Sequence, residues 1–215
     1  MVLNEKLVKY NFSSREGQLI KYIVIHDTGN TSEGADANAH FNFFNTGNRG
    51  ASAHYFVDDK QVLRIIKDSD KSWHCGDGGG KYGITNENSI GVELCVNSDI
   101  DPQKAYQNLI EITKMLMNKY NIHADNVTRH YDASRKICPN SWKGNNWMNW
   151  TKFKQDLKAK TDDHEEYVKM IYRKILRREV DEGGLNHWVE KFNQGMTKGD
   201  FLVNITESEE FKRIK

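Results

Sequence analysis

The sequence predicts an α/β fold, in which a central mixed β-sheet is flanked by helices, followed by a small all-α module at the C-terminus. Short apolar runs next to polar loops alternate with longer segments whose apolar residues recur at helical spacing, which is typical of a sheet covered by helices. After residue 160 only helical spacing remains. The chain has 215 residues, which fits one ordinary domain and one small domain.

Composition limits the classes to which the chain can belong. The formal charge is +1 at pH 7, which argues against strong binding to nucleic acid through phosphates. Mean hydropathy is -0.78, and no run approaches the roughly 20 apolar residues of a membrane span, so no membrane insertion is expected. The first ten residues lack the apolar stretch of a secretory signal, so we expect synthesis in the cytoplasm without a signal peptide.

The first half of the chain alternates predicted strands with one helix. Residues 22–26 are an apolar run that predicts a buried strand, and residues 36–45 have apolar groups at helical spacing. Residues 54–57 and 61–66 predict two strands paired across a short turn. The glycines within residues 76–80 predict a flexible loop.

The second half continues this alternation. Residues 89–96 predict another strand, and residues 101–120 predict a long amphipathic helix that opens on Asp-Pro. Residues 127–130 predict a short strand that leads into a polar loop. A last helix of this part carries Trp150, Phe153 and Leu157 on one face.

A charged segment at residues 158–166 predicts a boundary between a domain at 1–160 and a helical module at 163–215. Two apolar stripes at helical spacing support the module. Thr197 and Thr206 are each followed three residues later by an acid, a pattern that predicts helix starts. The stripes contain Tyr167, Ile171, Tyr172, Ile175 and Leu176, and Leu185, Trp188, Val189 and Phe192.

His26, His130 and Cys138 stand out as candidate metal ligands. Both histidines end predicted strands next to polar loops, where functional groups concentrate, and Pro139 restricts the backbone of the loop that carries Cys138. Three cysteines are an odd count, which weakens a disulfide framework and leaves room for a metal thiolate. Each residue alone is more often structural, but together they suit a catalytic zinc whose fourth position is open to water.

Two charged residues accompany this set. Glu93 lies on the face of its predicted strand opposite Ile90 and Val92, where a carboxylate is expensive to bury unless it is paired. It is either a strand-edge residue facing solvent or a general base beside a metal-activated water. Lys136, two residues before Cys138, is either a solvated loop lysine or a cation that stabilises an oxyanion.

Four motifs follow one another along the chain. They are Ile23-Val-Ile-His26-Asp-Thr, Ser52-Ala-His54-Tyr-Phe-Val57, Ile90-Gly-Val-Glu93-Leu, and Arg129-His130 with Lys136-Ile-Cys138-Pro139. In this order they resemble the zinc-dependent N-acetylmuramoyl-L-alanine amidases over residues 20–158. This type-2 amidase family shares its fold with peptidoglycan recognition proteins and includes many phage endolysins. The resemblance implies that fold, and hydrolysis of the amide bond between N-acetylmuramic acid and L-alanine in bacterial peptidoglycan.

The resemblance also implies a role for each chemical group. His26, His130 and Cys138 fall on the family's three ligand positions for one zinc ion per chain, although many members carry Asp at the third. Glu93 falls on the acid/base position and Lys136 on the position that stabilises the transition state.

Residues of the substrate cleft are implied less specifically. His54, Trp73 and His74 resemble residues of the cleft wall. Some members place a catalytic Tyr immediately before the position of His54, and this chain has Ala53 there. Because this Tyr is absent, we expect Glu93 to perform the acid–base chemistry.

The C-terminal residues resemble a small helical domain of unknown function that is found in bacterial surface and extracellular proteins. The resemblance rests on Tyr172-Arg-Lys-Ile-Leu176, Leu185-Asn-His-Trp188 and Ser208-Glu-Glu-Phe211. The second module of an endolysin commonly targets the cell wall, so we expect wall binding or self-association here. The expected partner is peptidoglycan, which the protein reaches after release or holin-type export.

Two other classes of function compete with amide hydrolysis. A non-catalytic peptidoglycan-binding protein is one, and Cys138 speaks against it because recognition proteins that only bind usually lack the third ligand. A metal-independent cysteine peptidase is the other, with Cys75 or Cys138 as nucleophile beside a histidine. Sensitivity to a chelator separates the peptidase from the zinc enzyme.

Overall fold

The computed structural model describes residues 1–158, 162–193 and 196–214. The chain divides into two compact units, Met1–Leu157 and Lys158–Lys215. The charged segment at 158–166, where the sequence predicts a boundary, includes residues 159–161, which lie outside the described residues. Within those three ranges, no helix combines the length and the apolar character that a membrane crossing requires.

The first unit is built on a mixed sheet, as the sequence predicts. Six strands lie in the order β1-β5-β4-β7-β3-β8; β4 and β5 are antiparallel, and the other neighbours are parallel. A separate antiparallel pair joins β2 to β6. The strands are β1 (Leu3–Glu5), β2 (Phe12–Ser14), β3 (Tyr22–Asp27), β4 (Tyr55–Val57), β5 (Val62–Arg64), β6 (Asp70–Ser72), β7 (Ser89–Leu94) and β8 (Val127–Arg129).

Four helices accompany this sheet. They are α1 (Ala37–Asn45), α2 (Pro102–Tyr120), α3 (His130–Ser134) and α4 (Gly144–Lys158). The α2 helix has the bounds that the sequence predicts, because the Asp101 carboxylate accepts hydrogen bonds from the first free backbone N–H groups and Asn121 ends the helix in a left-handed conformation. Asn145, Asn146 and Trp147 are also left-handed, so regular helical geometry in α4 begins after them.

Strand alternation decides what each face of the central strands carries. Ile23 and Ile25 of β3 pack with Ile90 and Val92 of β7 in the main core, which includes the buried face of α2. A buried aliphatic side chain of this kind contributes roughly 1.5 to 3 kcal/mol. The intervening residues therefore point to the other face of the sheet, where the polar groups of the candidate site lie.

One predicted element differs in a way that bears on the site. The sequence predicts that His130 ends a strand, but β8 stops at Arg129 and His130 is the first residue of α3. The Asp132 carboxylate accepts hydrogen bonds from the backbone N–H and the guanidinium of Arg129, which stabilises this turn. At the start of α3, the His130 ring contacts Asp77 and lies next to the ring of His26.

All regular secondary structure in the described residues of the second unit is helical. Its helices are α5 (Asp162–Ile171), continued by a π-helical turn (Tyr172–Leu176), α6 (Glu182–Asn193), α7 (Lys198–Glu207) and α8 (Glu209–Ile214). Thr197 caps α7 as predicted, but Thr206 lies inside α7, and the Ser208 hydroxyl instead accepts a hydrogen bond from the Phe211 N–H in α8. The core contains Val168, Ile171, Tyr172, Leu176, Phe192, Phe201 and Ile205.

Candidate metal centre

Three potential metal ligands meet where the central strands end. His26 is near the end of β3, His130 opens α3, and Cys138 lies in the loop after α3. Their ligand atoms all lie within 4.8 Å of one another, and all three residues are buried. The structure thus brings together, from positions 112 residues apart, the set that the sequence singles out.

The donor atoms fit a tetrahedral cation. The distance from His26 Nδ1 to Cys138 Sγ is 3.5 Å. Zinc bond lengths to nitrogen and sulfur imply a separation of about 3.5 Å between such ligands in a tetrahedron. The rings of His26 and His130 meet edge to face, with centroids 4.7 Å apart.

The second nitrogen of each histidine is also held. His26 Nε2 lies 3.0 Å from His74 Nδ1, and His130 Nε2 lies 2.7 Å from an Asp77 carboxylate oxygen. Because these contacts occupy Nε2, the Nδ1 atom of each ring is the one available to bind a metal. Contacts of this kind orient the imidazoles of metal sites and select their tautomer.

Glu93 places a carboxylate on the Nδ1 side of His26. It is the register partner of His26 across β3 and β7, and its Oε1 lies 4.0 Å from His26 Nδ1. Its Oε2 is buried and has no hydrogen-bond partner among the described residues. Burial, reinforced by the charge of Asp27, raises the pKa of Glu93 well above its ordinary value. A carboxyl in this environment is suited to taking up and releasing a proton near neutral pH.

Burial also sets the protonation of the ligands. It lowers the pKa of His26 well below its ordinary value, and it lowers that of His130 although Asp77 opposes the effect. Neutral imidazole is the form that binds a metal. Burial raises the pKa of the Cys138 thiol to about 12, so a cation that binds here must displace a proton from sulfur.

Lys136 lies beside this cluster on an exposed loop. Its positive charge lowers the pKa of His26, of Glu93 and of Cys138. Its backbone N–H donates to the Ser134 hydroxyl, which in turn contacts Asp77. Its predicted action on an oxyanion stays a prediction.

The three residues predicted to form the cleft wall differ in burial and in their contacts. His54 is fully buried, with contacts to Arg15, Ser72 and the backbone, so its ring has no surface through which to touch a substrate. His74 is also buried and contacts His26, so it lies next to a candidate metal ligand, and its contact with substrate stays a prediction. Trp73 is half-buried and donates to Ser13 Oγ. Its predicted contact with substrate stays a prediction.

Sequence reasoning missed two residues near the candidate ligands: Asp77, whose carboxylate contacts His130, and Ser89, whose hydroxyl contacts His74. Asp77 lies in a glycine-rich segment in which the structure has a short 3-10 turn, Gly76–Gly78. A Cβ at Gly78 would lie 2.2 Å from the backbone oxygen of Ala133, so only glycine lets this turn approach α3. The sequence pattern that could have revealed Asp77 is an acidic residue next to a glycine, because the glycine permits such a close approach.

The cysteines have the wrong environment for a nucleophile. Cys75 and Cys138 are both buried, and burial raises the pKa of each thiol to about 12. A catalytic cysteine instead needs a lowered pKa and access to substrate. The geometry does not favour the cysteine peptidase hypothesis.

Comparison with known proteins agrees with this geometry. Residues 16–141 match the N-acetylmuramoyl-L-alanine amidase family, and residues 145–214 match a domain of unknown function, DUF4214. The first match covers more than half of the chain, which therefore belongs to the N-acetylmuramoyl-L-alanine amidase family. The resemblance stated from the sequence motifs is confirmed.

Individual relatives support the family and the fold. CwlH of Bacillus subtilis strain 168, named as an N-acetylmuramoyl-L-alanine amidase, is 39% identical over 118 residues, which are 55% of this chain and 46% of CwlH. XlyA of the same organism, with the same description, is 40% identical over 118 residues, which are 55% of this chain and 39% of XlyA. The chain thus spans less than half the length of these two curated relatives.

Solved structures match most of the first unit. The catalytic domain of XlyA aligns with a TM-score of 0.65 and 32% identity, covering 73% of this chain and 99% of that domain. PlyL aligns with a TM-score of 0.61 and 33% identity, covering 73% of this chain and 97% of PlyL. The predicted mixed sheet with flanking helices is confirmed.

Proposed function

We propose that this protein hydrolyses the amide bond between N-acetylmuramic acid and L-alanine in bacterial peptidoglycan, with one zinc ion per chain. The observation that carries the proposal is the buried cluster of His26, His130 and Cys138 with Glu93 4.0 Å from His26, in a chain of the amidase family. Two imidazoles and one thiolate suit zinc and leave a fourth position for water.

The residues present fit the ion on observations of this structure. The ligand separation matches tetrahedral zinc, and the buried Glu93 Oε2 lacks a partner among the described residues. When bound, zinc supplies a Lewis acid that lowers the pKa of water to about 7 and polarises a carbonyl. His26, His130 and Cys138 would hold it.

Glu93 moves the proton in this mechanism. Its raised pKa lets the carboxylate accept a proton from the attacking water at Oε1 or Oε2, and the same group then returns the proton to the nitrogen of L-alanine as the amide bond breaks. The bond that forms joins the water oxygen to the lactyl carbonyl carbon. The products are a free carboxyl on muramic acid and a free amine on the peptide.

Lys136 acts on the charge that develops during attack. The carbonyl oxygen becomes negative as the tetrahedral centre forms, and an ammonium beside the cluster stabilises that oxygen more in the transition state than in the ground state. Trp73, which is half-buried, remains the proposed contact for the substrate.

The C-terminal unit is proposed to bind the cell wall. Tyr172 and Phe192 fill its core, and Trp188 donates to the Tyr172 hydroxyl, so these aromatics support its folding more than an exposed sugar-stacking surface. Wall affinity would then come from other exposed groups. We propose that the protein acts on the cell wall after its release from the cell. Self-association is the competing role for the C-terminal unit.

A lysis assay tests the whole proposal. Purified cell walls are treated with the protein, with the protein after chelation, and with the chelated protein after zinc is restored. We expect activity to disappear and return, and new muramic acid carboxyl and L-alanine amine groups to appear together. Lysis that resists chelation, or new reducing sugar ends instead, contradicts the proposal.

A further inference from the structure

Three buried side chains form a line behind the candidate metal centre. Ser89 Oγ lies 3.1 Å from His74 Nε2, and His74 Nδ1 lies 3.0 Å from His26 Nε2. The other nitrogen of His26 faces Cys138 and Glu93. Ser89 and the ligand His26 are thus connected through both nitrogens of one imidazole.

The donors and acceptors along this line are fixed because the Ser89 hydroxyl has only one proton to donate. The Ser89 hydroxyl donates to the backbone carbonyl of Thr85, which leaves its oxygen to accept from His74 Nε2–H. A neutral imidazole with a proton on Nε2 has a lone pair on Nδ1, so His74 accepts from His26 Nε2–H. His26 then presents an unprotonated Nδ1.

We infer that the Thr85 carbonyl sets the tautomer of His26 through Ser89 and His74, so that Nδ1 of His26 is ready to bind the metal. This rests on the proposed metal site and adds three positioning groups to it. The reverse direction would put a proton on His26 Nδ1, in the place where the cation binds. That arrangement also requires Ser89 to give up its bond to Thr85.

The backbone is shaped to hold this line. Ser89, Gly91 and Glu93 alternate along the same face of β7, and the His74 ring lies over Gly91. A Cβ at Gly91 would lie 2.6 Å from His74 Cγ, so a larger residue would displace the ring. Asn86 fixes the other side, because its side-chain oxygen accepts from the backbone N–H groups of His74 and Cys75.

Burial of these three side chains stabilises this direction of hydrogen bonding over the reverse one. Ser89 is fully buried, and His26 and His74 are 2% and 8% exposed. Water is therefore largely excluded, and each reversed bond leaves a buried donor or acceptor without a partner, which costs free energy. The Cys75 thiol, 3.8 Å from Ser89 Oγ, is a weak donor and is compatible with the same direction.

Nuclear magnetic resonance of the full chain tests the tautomer directly. Protein labelled with nitrogen-15 at histidine is measured free of metal at pH 8, above the ordinary histidine pKa of about 6.5. The two-bond proton–nitrogen spectrum distinguishes the two neutral tautomers. We expect His26 and His74 both to carry the proton on Nε2.

Substitutions test whether Ser89 transmits the direction. In Ser89→Ala, His74 loses its acceptor, so we expect His26 to gain the Nδ1–H form and the affinity for zinc, measured by chelator competition, to fall by about 10- to 100-fold. Ser89→Thr keeps the hydroxyl and should restore both. Ser72→Ala is the matched control, because Ser72 is an equally buried serine that contacts the imidazole of His54 and lies outside the line.

The outcomes separate this inference from the proposed function. A wild-type His26 with its proton on Nδ1, or a Ser89→Ala variant with unchanged tautomer and zinc affinity, overturns the inference while leaving the amidase proposal in place. An equal loss of zinc affinity in Ser72→Ala overturns it as well. Wild-type protein that binds no zinc overturns the proposed function, and the tautomer measurement on metal-free protein still decides the direction of the line.

Discussion

Replacing Glu93 with glutamine should change activity and stability in opposite directions. The substitution keeps the shape of the side chain and removes its ability to take up and return a proton. General acid–base catalysis typically contributes 10²- to 10⁴-fold, so we expect lytic turnover to fall by about that factor, or about 2.7 to 5.4 kcal/mol in activation free energy. The ligands of the metal are unchanged, so zinc content should stay at one per chain.

The stability of the metal-free protein should rise. The folded state raises the pKa of Glu93 because it buries the carboxylate near Asp27. Above the raised pKa, the folded state must keep Glu93 ionised in an environment that disfavours the charge. Each unit by which folding raises this pKa lowers the free energy of unfolding by about 1.4 kcal/mol. Below the ordinary pKa of 4.5 the carboxyl is protonated in both states and this cost vanishes.

Chemical denaturation of chelated protein at pH 8 and at pH 4 measures this difference. We expect Glu93→Gln to be more stable than the wild type at pH 8, and the gain to shrink toward pH 4. Glu87→Gln is the matched control, since hydrogen bonding to Lys71 lowers the pKa of Glu87 and its loss should not stabilise the protein. A Glu93→Gln variant with near-normal turnover, or with reduced stability at pH 8, refutes the reasoning.

The remaining predictions concern the ligands, their neighbours and the C-terminal unit. Cys138→Ala should lose most bound zinc by elemental analysis, whereas Cys95→Ala, another buried cysteine, should retain it. Lys136→Ala should lower turnover at saturation more than substrate affinity; a change in affinity alone would make it a binding residue. Asp77→Ala should weaken zinc binding by about 10- to 100-fold in chelator competition, and Asp77→Asn, which keeps an oxygen acceptor, should lose less. A shortened chain of residues 1–160 should keep zinc and cleave soluble muropeptide but bind intact walls more weakly. Unchanged wall binding with loss of oligomers would make the C-terminal unit an assembly domain.

The central strands were predictable because their pattern is strong and local. Ile90, Val92 and Leu94 share one face of β7 in the main core, as alternation predicts, and Glu93 lies on the other. The positions of His26 and Cys138 in one cluster followed from motifs whose order along the chain matched a known family. Periodicity alone left the metal site open, because a histidine at the end of a strand has many structural explanations.

Three short strands escaped prediction for a physical reason. Strands β1, β2 and β6 have three residues each and consist mostly of polar residues, unlike the equally short β4, and β1 is exposed along its length. Their pairing depends on partners that are distant in sequence, such as Val62 for Leu3 and Ser72 for Phe12. Tertiary hydrogen bonds decide these elements, and local sequence carries little trace of them.

The same distinction explains why the ligands of the site were visible and their orienting partners were not. Strands β3 and β7 determine where His26 and Glu93 emerge, and alternation reveals this. The orientation of both histidine ligands depends instead on one irregular segment, which supplies His74 to the first ring and Asp77 to the second. Each contact requires a close approach that only glycine allows, at Gly91 for His74 and near Ala133 for the turn that carries Asp77. Sequence alone marks such glycines as loop or strand breaks, whereas in the folded protein they are the positions that let two distant segments fix a pair of imidazoles.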